Sequence, residues 1–278
     1  MNKELNPEQW NERGLAYEQE KEYKKSFECY EKSAKMGYAH GQRNLGSCYE
    51  HGRGVPKDQN EAVRWYTKAA EQGHGEAQNN LGDCYDRGIG VEASPQKAVH
   101  WYGKSAETGF PWGMCNLASC YAEGYGIEKK PEHAFEWYVK AAEMGYPLGQ
   151  YSVGVCYFHA IGVEKDPIKA IDWFKKAAEQ GDENAIHNLQ SLNVKQCPSC
   201  KKWDTIFSQK IHNGKEDMLV CINEQCPKSN VVLNAVTGAV ISDKKCPTCG
   251  SDRNILNSGA WVCWNEKCSQ YKQIDRRF

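Results

Sequence analysis

Apolar residues along the first 190 positions follow two nested periods. Within short stretches they recur every three or four residues, the spacing of one face of an α-helix, and the whole pattern returns every 36 residues. Four segments carry it: LGSCYEHGRGV from Leu45, LGDCYDRGIGV from Leu81, LASCYAEGYGI from Leu117 and VGVCYFHAIGV from Val153. Each precedes an amphipathic stretch with a tryptophan: AVRWYTKAAEQG, AVHWYGKSAETG, AFEWYVKAAEMG and AIDWFKKAAEQG. Two helices per unit account for the length, and a period of this size predicts helical hairpins stacked into a solenoid.

Start and stop signals keep the same register. Gly37, Gly73, Gly109, Gly145 and Gly181 close the second helices, and Asp58, Ser94 and Asp166 stand at N-cap positions. Pro95, Pro131 and Pro167 fall at the first helical position, where a missing N–H costs nothing; Lys130 departs from the cap rule. Small pairs (Ser33–Ala34, Ala69–Ala70, Ser105–Ala106, Ala141–Ala142, Ala177–Ala178) allow close helix approach. Trp65, Trp101, Trp137 and Trp173 are expected to supply the large buried surface between hairpins, about 150–250 Å² per aromatic ring.

This pattern resembles the Sel-1-like repeat, a relative of the tetratricopeptide repeat, closely over residues 38–181. The first unit, ERGLAYEQEKEYKKSFECYEKSAKMG, lacks the Gly-x-Gly-Val loop and is similar to an ordinary tetratricopeptide hairpin; Glu183 to Leu192 continues the register as a closing helix. The expected fold is mainly α: five hairpins and a capping helix over residues 1–193, followed by a small β-rich module over 194–278. The resemblance implies a non-catalytic adaptor whose curved surface holds a protein or peptide partner.

Variation between units locates that surface. In each first helix the positions of Leu45, Cys48 and Tyr49 stay nearly constant, whereas those of His40, Arg43, Ser47 and His51 change, and helical periodicity places these four on one stripe. Its next three rows are Glu76, Asn79, Asp83, Arg87; Trp112, Cys115, Ser119, Glu123; and Leu148, Tyr151, Val155, His159. The stripe is polar first and apolar later, and His40, Arg43, Glu76, Asn79, Arg87, Trp112, Leu148, Tyr151 and Val155 are the nominated partner contacts. Drift of a plain solvent face, or cover from the C-terminal module, would give the same variation.

Other signals decide little. The Gly-x-Gly pairs recur between two helices rather than after a strand, so they are turns and not phosphate loops. Cys48, Cys84, Cys120 and Cys156, one per unit, read as small packing residues. The eight histidines are scattered, and no local catalytic arrangement stands out. The amino terminus has no apolar run, and no later stretch reaches the length of a membrane span, so a soluble, cytoplasmic, non-enzymatic protein is expected.

After Asn193 the composition changes. Cys197-Pro-Ser-Cys200 is followed twenty residues later by Cys221 and Cys226, and Cys246-Pro-Thr-Cys249 precedes Cys263 and Cys268 by thirteen. The matches CPSC with CPTC and VCINEQC with VCWNEKC mark a duplication. Four thiolates presented in close pairs suit tetrahedral zinc, so two zinc ions are expected, over Fe–S clusters or disulfides. Duplication favours the first four cysteines on one ion, within 194–230, and the second four on the other, within 231–278, although a crossed arrangement satisfies the same residues. Hairpins are expected around Asn213-Gly214 and Asn257-Ser258-Gly259.

These cysteine motifs resemble the C-terminal zinc ribbons of type IA topoisomerases. That implies an alternative role in binding nucleic acid, with Trp203, Phe207, Trp261 or Trp264 stacking on bases. Residues 1–193 carry net charge −6 and residues 194–278 net +5. Two Zn²⁺ with eight thiolates would bring the latter to about +1, which removes the electrostatic support for that alternative.

Overall fold

The computed structural model describes residues 5–192 and six short strands between Gln209 and Cys263; all other residues lie outside the description. The chain divides into two compact units, Met1–Ala170 and Ile171–Phe278, the division falling within a helix.

The first unit holds the hairpins α1 (Pro7–Gln19) with α2 (Tyr23–Lys35), α3 (Ala39–His51) with α4 (Gln59–Glu71), α5 (Gly75–Arg87) with α6 (Pro95–Glu107), and α7 (Pro111–Glu123) with α8 (Pro131–Glu143). Next comes α9 (Pro147–His159); α10 (Pro167–Glu179) spans the division. Each helix up to α9 packs on its neighbours in sequence, and first helices also touch one another, α1 with α3, α5 with α7 and α7 with α9. First helices therefore form the inner layer of the stack and second helices the outer.

The caps follow the sequence. Asp58 accepts from the amides of Asn60 and Glu61, Ser94 from Lys97, and Asp166 from Ile168 and Lys169, whereas Lys130 makes no side-chain cap bond. From α3 on, first helices end in a left-handed residue, Gly52, Gly88 and Gly124, and then Ala160 at φ 59°. The second glycine of each Gly-x-Gly turn presses on the preceding hairpin: a Cβ on Gly90 would collide with the Gln59 carbonyl at the start of α4. These turns are thus contacts between units.

The small pairs behave as expected, for a Cβ on Gly41 or Gly113 would meet the side chain of Ser33 or Ser105. The tryptophans do not. Trp65, Trp101 and Trp137 are only half-buried, packed against the core from its edge, and Lys68 and Lys140 lie over Trp65 and Trp137 at 3.9 and 3.8 Å from the ring centroid. The fully buried ring is the next residue, Tyr66 or Tyr102, with Tyr30 in the first hairpin. Position 66 faces the first helix squarely while position 65 is rotated about 100° toward the rim.

In the second unit α11 (Glu183–Ser191) is capped by Asp182, which accepts from the Ala185 amide at 2.8 Å. The strands β1 (Gln209–Lys210), β2 (Asp217–Val220), β3 (Val232–Asn234) and β4 (Val240–Ser242) form one antiparallel sheet in that order. β5 (Arg253–Ile255) and β6 (Trp261–Cys263) form an antiparallel pair. Residues 213–214 and 257–259, between β1 and β2 and between β5 and β6 in the sequence, fall outside the described residues.

Candidate functional site

The nominated stripe runs along α3, α5, α7 and α9, on the inner layer. At its first end Arg43 of α3 forms an ion pair with Glu76 of α5 and donates to Asn44 Oδ1 at 2.8 Å. His40 is exposed, its Nδ1 3.0 Å from Nε2 of His74. The Nδ1 of His74 accepts the Ala77 amide at 3.2 Å. Neutral His74 is thereby assigned its proton on Nε2, which it donates to His40. Burial, then His40 and Arg43, lower the His74 pKa to about 4.

Asn79 is not a surface contact. It is 5% exposed, accepts from Asn116 at 2.9 Å and donates to Asp83 at 3.2 Å. Cys115, its equivalent one unit later, is 3% exposed. Arg87 is exposed in the last turn of α5. Trp112 is 51% exposed and leans on Tyr146, ring centroids 5.5 Å apart. Leu148 is half-buried against the core of α6 to α8, while Tyr151 and Val155 line a cleft.

That cleft, between α7, α8 and α9, has a volume of about 600 Å³; its walls include Ala122, Glu123, Tyr138 and Ile161. A second cleft of about 270 Å³ lies between α5, α6 and α7, walled by Asp86, Tyr102, Asn116 and Tyr125, and Glu123 borders both. The two occupy the same place in successive units. Adding 36 turns Asp86 into Ala122, Asn116 into Ser152, Ser119 into Val155 and Tyr125 into Ile161, around a shared tyrosine and cysteine. Each exchange removes bulk or polarity, which is why the second site is larger and more apolar.

Asp86 and Ala122 fall outside the stripe because it spans too narrow a face, since the residue after the constant tyrosine also changes, from Glu50 to Asp86, Ala122 and Phe158; Ile161 lies past the end of α9, in the turn whose middle residue runs Arg53, Ile89, Tyr125, Ile161. Asn116 leaves no such signal, since Asn44 and Asn80 precede it.

The cysteines of the first unit are buried and unpaired with one another. Desolvation pushes the thiols of Cys48, Cys84, Cys120 and Cys156 up to about 12, so at neutral pH they are inert packing groups. Among the described residues no three metal-ligating side chains cluster, and no helix is long and apolar enough to cross a membrane. Of the eight candidate zinc ligands, Cys263 falls in β6; Cys197, Cys200, Cys221, Cys226, Cys246, Cys249 and Cys268 lie outside the described residues. Of the aromatics nominated for stacking, Trp261 falls in β6, and Trp203, Phe207 and Trp264 lie outside.

The Sel1 repeat model matches residues 9–38, 39–74, 75–110, 113–146 and 147–182, well over half of the chain. The chain belongs to the Sel1 repeat family. The first match falls on the hairpin that the sequence alone placed with ordinary tetratricopeptide repeats, so the missing Gly-x-Gly-Val loop does not set it apart. A Sel1 repeat protein from Oxalobacter formigenes is 34% identical, with TM-score 0.63 over 67% of this chain and 76% of that one. The protective antigen c5321 of uropathogenic Escherichia coli, which displays an SLR fold, is 33% identical, with TM-score 0.61 over 70% of this chain and 43% of its own. DAP3-binding cell death enhancer 1 of Rattus norvegicus is 45% identical over 42 residues, 15% of this chain; the Sel1 chain spans only 8% of that relative. Sel1 repeat proteins generally act as protein–protein interaction scaffolds.

Proposed function

We propose that this Sel1 protein is a non-enzymatic scaffold that holds a segment of a partner protein along the inner, first-helix face, from the Arg43–Glu76 pair to the cleft at Tyr151 and Val155. The observation that carries this reading is the pair of repeat-equivalent clefts, built on one constant framework but with different walls. The repeat keeps the cavity in register, and its walls change from two carboxylates to Ala122, Val155 and Ile161, which gives successive points along the face different binding preferences. The exposed Trp112 beside Tyr146 adds an aromatic platform at the groove edge.

The test compares proteins captured by the wild-type chain and by a Trp112→Ala/Tyr151→Ala variant whose helical circular dichroism is unchanged. The groove reading expects specific partners to be lost from the variant; identical capture sinks it.

The C-terminal cysteines extend the proposal. Two zinc ions, one held by Cys197, Cys200, Cys221 and Cys226 and the other by Cys246, Cys249, Cys263 and Cys268, would supply much of the folding free energy of so small a module. Four thiolates per ion suit a closed structural site that leaves no coordination position for catalysis.

A further inference from the structure

The two clefts differ in a way that specifies an occupant. The smaller has two carboxylates, Asp86 and Glu123, and no basic side chain in its walls. The Ser119 hydroxyl already donates to Glu123 at 3.4 Å, and Asp86 holds the Tyr125 phenol above its ordinary pKa. Both acids thus sit in the cleft as acceptors with lone pairs to spare, the complement of an ammonium or guanidinium group. The larger cleft replaces Asp86 by Ala122, Ser119 by Val155 and Tyr125 by Ile161; Glu123, Lys129 and Glu132 border it, and beside the apolar groups its volume of about 600 Å³ accommodates a bulky apolar side chain.

Spacing selects the backbone. Equivalent points on successive hairpins are about one helix-packing distance apart, roughly 8–10 Å. A β-strand advances about 3.3 Å per residue with side chains alternating, so same-side residues fall near 7 or 13 Å and miss this interval. A polyproline-II segment has three residues per turn and rises about 3.1 Å each, which puts positions i and i+3 on one side about 9 Å apart. Its unpaired backbone also asks nothing of a groove whose walls are helices.

We infer that the partner segment binds in the polyproline-II conformation, with a Lys or Arg in the Asp86–Glu123 cleft and a bulky apolar residue three positions away in the Tyr151–Val155 cleft. This rests on the groove reading above and adds the chemistry of its partner.

The test is selection of random peptides displayed on phage against the full-length chain. The inference expects enriched peptides to carry a basic and a bulky apolar residue three apart, and to tolerate proline at the two positions between. For a synthetic peptide of that family, Asp86→Lys should weaken binding about tenfold, with little effect on its analogue lacking the basic residue. Val155→Arg should abolish binding of both, in a protein whose thermal unfolding is unchanged. Peptides lost on Val155→Arg but showing no basic residue, or another spacing, overturn this inference and leave the groove reading standing. Peptides indifferent to both substitutions, or no enrichment at all, overturn both.

Discussion

The Tyr102 hydroxyl donates to Asp83 at 2.7 Å, tying α6 to α5 within one hairpin. Tyr30 does the same to Glu18 at 2.7 Å and Tyr66 to Glu50 at 2.6 Å, so a buried phenol–carboxylate bond recurs in three hairpins although its acceptor moves along the first helix. In each, burial and the facing carboxylate hold the phenol well above its ordinary pKa, so it remains a donor. The same element sets the groove floor, since Asp83 also receives Asn79.

Tyr102→Phe removes the donor and leaves the carboxylate behind. Loss of a partner from a half-buried charged group costs about 1–3 kcal/mol. Burial already raises the Asp83 pKa, while the Tyr102 hydrogen bond opposes it. A carboxyl with a raised folded pKa gives stability that is present below its ordinary value of 3.8 and is lost as pH rises through the folded value. Without Tyr102 that folded value rises further. Urea unfolding should therefore show a larger loss for the variant at pH 8 than at pH 4; equal losses would count against this account of Asp83.

Ala160→Gly should stabilise the protein by about 0.5–1 kcal/mol. Ala160 occupies a left-handed position that glycine fills in the three preceding units. The steric cost there is about 1–2 kcal/mol for an L-residue, offset in part by the greater chain entropy of unfolded glycine. A urea midpoint shifted upward with an unchanged slope is the expected result.

The repeat, its caps and its turn glycines are legible in the sequence because each depends on local geometry that recurs every 36 residues. What is not legible depends on rotation and on contacts between units. The size of Trp65 marks it as the buried anchor, yet Tyr66 holds the core, a difference of one helical step. The variation at Asn79 suggests a partner contact, but that side chain is buried and bonds Asn116 of the next hairpin, whose position is Asn in the two preceding units as well. Variation between units marks internal contacts as well as surface, and sequence alone does not separate the two.

Gly90→Ala should cost at least about 2 kcal/mol. Its φ is 67°, and a Cβ there would strike backbone of the preceding hairpin, which has no rotamer to yield. Gly103 is the control: it lies within α6 with open space where a methyl would project, so Gly103→Ala should gain up to about 1 kcal/mol from helix propensity. The two positions differ in backbone conformation and in what the new methyl meets. Thermal unfolding of both variants, with the loss confined to Gly90→Ala, checks the reading of the Gly-x-Gly turn as a contact between units.

Metal analysis of the purified chain should find two zinc ions. If they hold the C-terminal module together, a strong chelator will remove them and alter the near-ultraviolet signal of Trp203, Trp261 and Trp264. The helical far-ultraviolet signal should largely persist, since no helix of the first unit draws on those cysteines. One zinc, or none, would refute the duplicated sites, and a Cys246→Ser/Cys263→Ser variant should retain one ion if ligation is paired and lose both if it is crossed.

His74 offers a titration that reads the contact between the second and third hairpins. Its Nδ1 caps α5 by accepting from Ala77 and its Nε2 meets His40, so protonation would destroy the cap or set two N–H groups against each other. The folded pKa, about 4, lies below the ordinary 6.5, so the unfolded chain takes up the proton first. Stability is therefore full above pH 6.5 and declines as pH falls toward 4. His74→Asn keeps an N-cap acceptor and removes the titrating ring, so stability at pH 8 should stay within about 1 kcal/mol of wild type while part of the acid-side loss disappears. His40→Asn should preserve most of that loss, because burial, the leading cause of the depressed value, remains. If the His74→Asn and wild-type stability curves run parallel from pH 8 to pH 4, His74 is not the group that titrates.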